Sequence, residues 1–375
     1  MPMKTRGAVV RQAPGEYETV AIEVDDPRHG EIRVKMVASG MCHSDDHFAT
    51  GDMVPGVYPW LGGHEGAGIV ESVGPATVGF EVGDHVIFSF LPSCGRCRWC
   101  ASGMQNLCDL GATLLQGARF DDPTSYRVTL EDGTPVGQMC GLGTFAEYIT
   151  VSTQSAVKID KDVDLHTACL LGCAVGTGWG SAVNAGQVSP GDVVIVLGAG
   201  GVGMNAVQGA RHAGADHVIV VDPVEMKRAA SIGFGATRAF EKADEAIEYA
   251  RSITNGQGAD VAIETVGRAD GEHVAQAFHA IRKAGTAVVT GIGSMNEVGL
   301  PIPLTELVVY QKRIQGTHFG HCSPASDILR QLQMYRDGRL KLDELVTRTY
   351  RLDEVAQAYR DLAAGKNIRG VIVFD

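Results

Sequence analysis

Residues 30–38, Gly-Glu-Ile-Arg-Val-Lys-Met-Val-Ala, alternate apolar and polar positions, and a period of two predicts a half-buried strand. Residues 68–73 and 85–90 also read as strands. Many short strands punctuated by Gly and Pro make the first ~150 residues mostly β. Residues 111–143 form a longer polar stretch, in which 126–130 runs into Glu131-Asp132-Gly133 and predicts a hairpin. As a whole the stretch reads equally as a lid or binding loop and as a solvated surface excursion.

The pattern changes after about residue 175. Residues 193–197, Val-Val-Ile-Val-Leu, are a fully apolar strand, followed by a glycine-rich turn and by helical spacing over 204–213. Residues 217–221 are a second apolar strand, closed by Asp222. Further strand candidates lie at 261–264, 287–290 and 314–317, with helical stretches between. That alternation predicts an α/β domain with a parallel, doubly wound sheet. A helix around 326–336 and a strand over 370–374 end the chain.

With 375 residues the chain has room for about two domains. Apolar residues are 45% and charged residues 20%, an ordinary globular mix that excludes disorder as the main state. The net charge of −12 disfavours phosphate backbones, so nucleic acid is not an expected partner. No apolar run reaches the ~18 residues of a membrane span, and residues 1–10 carry no secretory pattern. A cytoplasmic protein is expected. Glycine, at 48 residues, is the compositional outlier and points to tight turns and close backbone approaches.

The nine cysteines are an odd number, which argues against a disulfide framework. Four of them, Cys94, Cys97, Cys100 and Cys108, fall within fifteen residues. Thiolates that close need a cation, and four sulfurs suit tetrahedral zinc. An iron–sulfur cluster also takes four cysteines, but the proline ending of the bacterial ferredoxin run is missing. With every position filled by sulfur the expected zinc is structural. Cys42, His64 and Cys173 are dispersed. Together they would make a Cys2His set with a free fourth position, the pattern of a catalytic zinc. Each alone is weak evidence, and spacing leaves open whether they meet. Their glycine-rich surroundings leave room for a ligand.

Gly198-Ala199-Gly200-Gly201-Val202-Gly203 follows a strand, opens a helix and precedes Asp222 by about twenty positions. That context predicts a dinucleotide turn. Gly198 permits the turn, Gly200 admits a pyrophosphate, and Gly203 lets the helix pack on the sheet. The anion then meets N–H groups at the helix start. Asp222 would accept from the adenosine ribose and repel a 2′-phosphate, which favours NAD over NADP. Lys227 and Arg228 nearby act the other way.

Gly40-Met-Cys-His-Ser-Asp-Asp-His47, Gly63-His-Glu-Gly-Ala-Gly68, the four-cysteine lobe, Gly172-Cys-Ala-Val-Gly-Thr-Gly178 and the glycine turn occur in one order. In combination they resemble the zinc-containing medium-chain alcohol dehydrogenases, over nearly the whole chain. The resemblance implies a mostly-β, GroES-like catalytic domain over 1–174, with the structural-zinc lobe at 94–108. It implies a Rossmann NAD-binding domain over 175–318 and a return to the catalytic domain over 319–375. It makes Cys42, His64 and Cys173 the catalytic zinc ligands, Glu65 a carboxylate near that zinc, and Asp45 the partner of His64. Ser44 and His47 would form a proton relay. His43, where the family often has an arginine, and Arg369 would face the cofactor pyrophosphate, with Thr177 near the nicotinamide. Phe90 and Met139 would line an apolar pocket.

The implied reaction is oxidation of an alcohol to an aldehyde or ketone, with hydride transfer to NAD, two zinc ions per chain and a homo-oligomeric assembly. The segment 111–143, Asn106-Leu-Cys-Asp-Leu-Gly-Ala112 and Gly365-Lys-Asn-Ile-Arg-Gly-Val371 are similar to a bacterial nicotinoprotein subgroup. Such enzymes keep NAD bound and pass electrons to an external acceptor such as a nitroso dye. One alternative is the glutathione-adduct, formaldehyde-handling branch, for which Arg119 is the candidate anchor of the glutathione carboxylates. A zinc ribbon contacting nucleic acid through Arg96 and Arg98, and a zinc-free reductase relative, are further alternatives.

Overall fold

The computed structural model describes residues 2–375, which form two compact units. The first is the chain up to Cys173 together with Ser323–Asp375, and the second is Ala174–Cys322.

The first unit is built on the strand Glu31–Gly40. One edge pairs antiparallel with Glu65–Val73, placing Gly40 opposite Glu65. The other edge is shared by Tyr148–Ser152 and by Arg369–Val373, which places Val371 opposite Gly40. A second layer is a closed barrel of Met3–Val10, Glu18–Val24, Val128–Leu130, Pro135–Gln138 and Trp60–Leu61. Inward-facing residues of both layers, among them Val9, Ile22, Val34, Leu61, Val136 and Ile149, make one apolar core. The half-buried alternation expected over 30–38 holds only at Lys35, which is exposed between Val34 and Met36; Glu31 and Arg33 are buried too, because Arg127 and Glu71 pair with them.

The hairpin predicted from 126–130 and the turn 131–133 is present as Val128–Leu130 paired with Pro135–Gln138, with Leu130 N–H accepted by the Thr134 carbonyl across the turn. It is part of the barrel and not a solvated excursion. Arg119 and Arg127, each 2% exposed, fasten it to the central sheet by donating to Glu31 at 3.1 and 2.8 Å. Nothing in the polar composition of 111–143 signals burial, because the charges are matched only in three dimensions.

The second unit is a six-stranded parallel sheet. Its spatial order is Arg238–Phe240, His217–Val221, Val193–Leu197, Ala259–Glu264, Ile281–Val289, Arg313–Gly316. The chain therefore starts in the middle, runs to one edge and returns to the other side. The order reverses beside Val193–Leu197, where ligands of doubly wound sheets bind. The helices Gly201–His212, Glu225–Phe234, Ala243–Ile253 and Gly271–Ala280 connect the strands. Among the described residues no helix is long and apolar enough to cross a membrane.

Candidate functional site

Three chain segments distant in sequence converge in the first unit. Cys42 caps the helix His43–Thr50 just beyond the central strand. His64 and Glu65 stand at the start of Glu65–Val73, and Cys173 follows the turn Cys169–Gly172. Pairing of Gly40 with Glu65 is what brings the first two segments together. Ligand atoms of Cys42, His64, Glu65 and Cys173 lie within 4.8 Å of one another, and all four residues are buried.

The two thiols of this cluster are pushed in opposite directions. Cys42 is held well below the usual thiol range, first by the hydrogen bond with Cys173 and then by His64 against the opposing effect of burial. Cys173 is pushed well above that range by the same bond and by burial. The start of a helix favours a thiolate at Cys42 as well. Asp45 Oδ2 lies 3.0 Å from His64 Nδ1, and Asp45 Oδ1 accepts the Gly63 N–H at 2.7 Å. Burial lowers the His64 pKa, but Asp45 and Cys42 more than offset this and hold it well above the ordinary range. With Nδ1 engaged by Asp45, Nε2 is the nitrogen left for the cluster.

Glu65 is paired with the Arg369 guanidinium, and both are buried. Burial pushes the Glu65 carboxyl up to about 7, with Arg369 opposing. Its Oε1 is buried without a hydrogen-bond partner. Two sulfurs and one imidazole nitrogen, with the carboxylate held by an arginine, suit a zinc ion that keeps one position open.

The second cluster is local. Cys94, Cys97, Cys100 and Cys108 also gather within 4.8 Å. The Cys94–Cys100 and Cys97–Cys108 sulfurs are 4.0 and 3.9 Å apart. A tetrahedron with Zn–S bonds of ~2.3 Å has edges of ~3.8 Å, so these spacings fit zinc. Backbone N–H groups of Cys94, Cys97 and Cys100 donate to the sulfurs of Cys108, Cys94 and Cys97. Those bonds hold the loop in shape and favour thiolates, and the Cys97 thiol is lowered to about 6 chiefly by the Cys100 N–H.

Around the first cluster, Ser44 Oγ is 3.5 Å from the Cys42 sulfur. His47, one helical turn further on, is buried and places Nδ1 3.3 Å from Asp52 Oδ2. His43, at the head of the same helix, is half-buried. Two tyrosines escaped the sequence reading. Tyr17 and Tyr359 stack at 5.2 Å and donate to the carbonyls of Asp45 and Cys42, at 2.9 and 3.4 Å. Asp52 and the Arg369–Glu65 pair were missed too, because their partners lie on other turns or strands.

In the second unit Gly198 takes φ +93°, which favours glycine, and a Cβ on Gly203 would collide with the Gly198 carbonyl oxygen. Gly200 caps the helix that Gly201 starts, with Val202 in its first turn. Asp222 is buried and accepts from Ala199 N–H and Val224 N–H, both at 2.8 Å. The acid thus also shapes the turn. Arg228 donates to the carbonyls of Asp222 and Pro223, at 2.7 and 2.8 Å. Lys227 is half-buried on the same helix, and Thr177 is buried in the helix Ala174–Gly180.

Arg119, the anchor required by the glutathione alternative, is consumed inside the first unit. It donates to Glu31, to Asp25 at 3.1 Å, and to Ser125 Oγ and the Tyr126 carbonyl at 2.9 Å.

Comparison with known proteins agrees with this geometry. The alcohol dehydrogenase GroES-like domain matches residues 28–161, and the zinc-binding dehydrogenase domain matches residues 201–334. The chain is 48% identical to the NDMA-dependent alcohol dehydrogenase of Amycolatopsis methanolica, covering 99% of each chain. It is 46% identical to alcohol dehydrogenase B of Mycobacterium tuberculosis, covering 99% of this chain and 98% of that one. Benzyl alcohol dehydrogenase of Acinetobacter calcoaceticus shares the fold at a TM-score of 0.89, with 29% identity and full coverage of both chains. Identity falls to 33% for the S-(hydroxymethyl)glutathione dehydrogenase of Komagataella pastoris, over 99% of this chain and 97% of that one.

Proposed function

Because the chain belongs to the zinc-binding alcohol dehydrogenase family, we propose that it oxidises an alcohol with an NAD that stays bound, its electrons leaving to an external acceptor. The observation that carries this reading is the 48% identity, end to end, with an NDMA-dependent alcohol dehydrogenase. Arg119, buried and fully engaged, gives the glutathione alternative no anchor.

We assign the catalytic role to the first unit and NAD binding to the second. Cys42, His64 and Cys173 would hold the catalytic zinc, and Cys94, Cys97, Cys100 and Cys108 the structural one. A zinc in the first set supplies a Lewis acid for the substrate hydroxyl, and NAD supplies the hydride acceptor. Asp45, with Oδ2 3.0 Å from His64 Nδ1, sets the charge on that side of the ring. Arg369 holds the Glu65 carboxylate back from the thiolates. Ser44 would accept the substrate's hydroxyl proton while passing its own to the nicotinamide ribose, and His47, one turn further on and beside Asp52, would take the proton from there outward. Asp222 orients the turn and accepts from the adenosine ribose. The odd number of cysteines, nine, supports a reducing, cytoplasmic setting.

A homo-oligomer is supported by the edge of the second unit. Leu304, Val308 and Val309 are 72, 72 and 66% exposed, and the strand Arg313–Gly316 is the sheet's edge. Val308→Glu should shift the sedimenting species toward monomer.

The deciding experiment uses purified protein before NAD is added. It should absorb as bound nicotinamide and oxidise a primary alcohol with a nitroso acceptor alone. Dialysed protein that is silent with the acceptor, yet turns over steadily on free NAD, would refute bound-cofactor turnover. Asp222→Gly should weaken NAD far more than NADP, read by titration.

A further inference from the structure

Glu264 ends the strand Ala259–Glu264, beside the strand that leads into the glycine turn, with Leu197 and Glu264 paired in register. Its side chain is fully buried. Oε1 accepts the Val266 N–H at 2.7 Å and Oε2 accepts the Gly291 N–H at 3.0 Å. Burying a carboxylate is costly unless its oxygens are bonded. Here both oxygens are spent on backbone donors of two different loops. Gly291 lies so near that a Cβ there would stand 2.6 Å from Oε1 and 2.9 Å from Oε2.

Each of those loops is tied onward. Next to Glu264, Thr265 Oγ1 donates to the Leu197 and Gly198 carbonyls, at 2.9 and 2.8 Å, and so clamps the glycine turn. Next to Gly291, Thr290 Oγ1 lies 2.9 Å from Ser181 Oγ, which donates to the Thr177 carbonyl at 2.6 Å. One carboxylate therefore stands between the phosphate turn and the helix that carries Thr177.

A doubly wound sheet binds a dinucleotide with two mononucleotide halves, one on each side of the reversal in strand order. The glycine turn and Asp222 belong to the adenosine half. The loops that Glu264 holds belong to the other half. The geometry points to Glu264 as a positioning residue for the nicotinamide half of NAD. It acts through the backbone of Val266 and Gly291, and this rests on the reading of Gly198–Gly203 as the NAD turn. An amide in its place has one acceptor oxygen and turns its NH2 toward the second N–H, so one loop is released.

The test is nucleotide binding by the full-length, zinc-loaded chain after its nucleotide has been stripped. For Glu264→Gln the NAD dissociation constant should rise about tenfold, while that for AMP, which needs only the adenosine half, should change less than about twofold. Gly291→Ala, which pushes a methyl against the same carboxylate and against the Val266 carbonyl while keeping the Glu264 side chain, should show the same split. It carries the test if Glu264→Gln does not fold. Unchanged NAD affinity in both variants would overturn the proposal. Equal weakening of NAD and AMP would also overturn it, since that is the mark of a general loss of structure. A starting chain that binds neither nucleotide would instead overturn the dinucleotide reading, and the proposal with it.

Discussion

Two metal-ligating clusters sit in one unit of this protein and are built in opposite ways. The Cys94–Cys108 cluster comes from one loop. Its sulfurs are held by N–H groups of its own backbone, and two of its four residues are partly exposed. The Cys42, His64, Glu65 and Cys173 cluster is assembled from three distant segments and is wholly buried. Its members are held by side chains, Asp45 on His64 and Arg369 on Glu65, and by the register of Gly40 with Glu65. The local cluster offers four sulfurs and leaves no place for a substrate. The dispersed cluster offers two sulfurs and a nitrogen, with its carboxylate engaged elsewhere, and so leaves one. A loop can close on a metal by itself, whereas an open position needs a rigid frame to keep a fourth ligand from filling it.

The contrast can be broken most sharply at Cys173. Cys173→Ser should remove one of two zinc ions and lower turnover on the order of a thousandfold or more, with the circular dichroism of the folded chain retained. Elemental analysis that found one zinc in the fully active starting protein would undo the two-centre picture. Asp45→Asn should come next. Its amide no longer offers an anionic acceptor to His64 Nδ1, and zinc affinity at the open centre should fall ~10–100-fold. Competition with a chromogenic chelator measures this, and the four-sulfur centre should be unaffected.

Arg369→Gln sharpens the role of the carboxylate. It leaves Glu65 buried without its cation, a change that costs ~3–5 kcal/mol when a buried pair is broken. Thermal unfolding should register the loss, and Glu65→Gln in the same chain should recover part of it. The smallest effect on turnover should come from the local centre. Cys97→Ser should release one zinc and lower the thermal midpoint on the order of 5–10 °C, with activity at 25 °C within about threefold of the starting protein. A larger loss of activity at unchanged midpoint would mean that the four-sulfur loop touches the chemistry.

The same division runs through what could be read beforehand. The strands at 193–197 and 217–221 match the structure residue for residue, because a strand buried on both faces is a continuous apolar run. The short edge strand Arg238–Phe240 was missed, since three half-exposed residues carry no period. Burial of Arg119 and Arg127 within 111–143 was legible to neither composition nor pattern. Both arginines are neutralised by Glu31, about ninety positions away in the chain.

By itself the sequence determined the local chemistry: four cysteines spaced to close on one ion, a glycine turn between an apolar strand and a helix, and the parallel alternation behind it. These follow from neighbours along the chain, where bond lengths and helical or strand periods limit what can meet. Tertiary structure alone decided that Cys42, His64 and Cys173 share one buried volume, that Arg369 guards Glu65, and that Tyr17 and Tyr359 brace the backbone beneath them. It also set Glu264 between two loops. Such contacts depend on strand register and on the pairing of buried charges. Both are properties of the packed whole, because a one-residue slip of Glu65 against Gly40 would turn the carboxylate to the other face of the sheet.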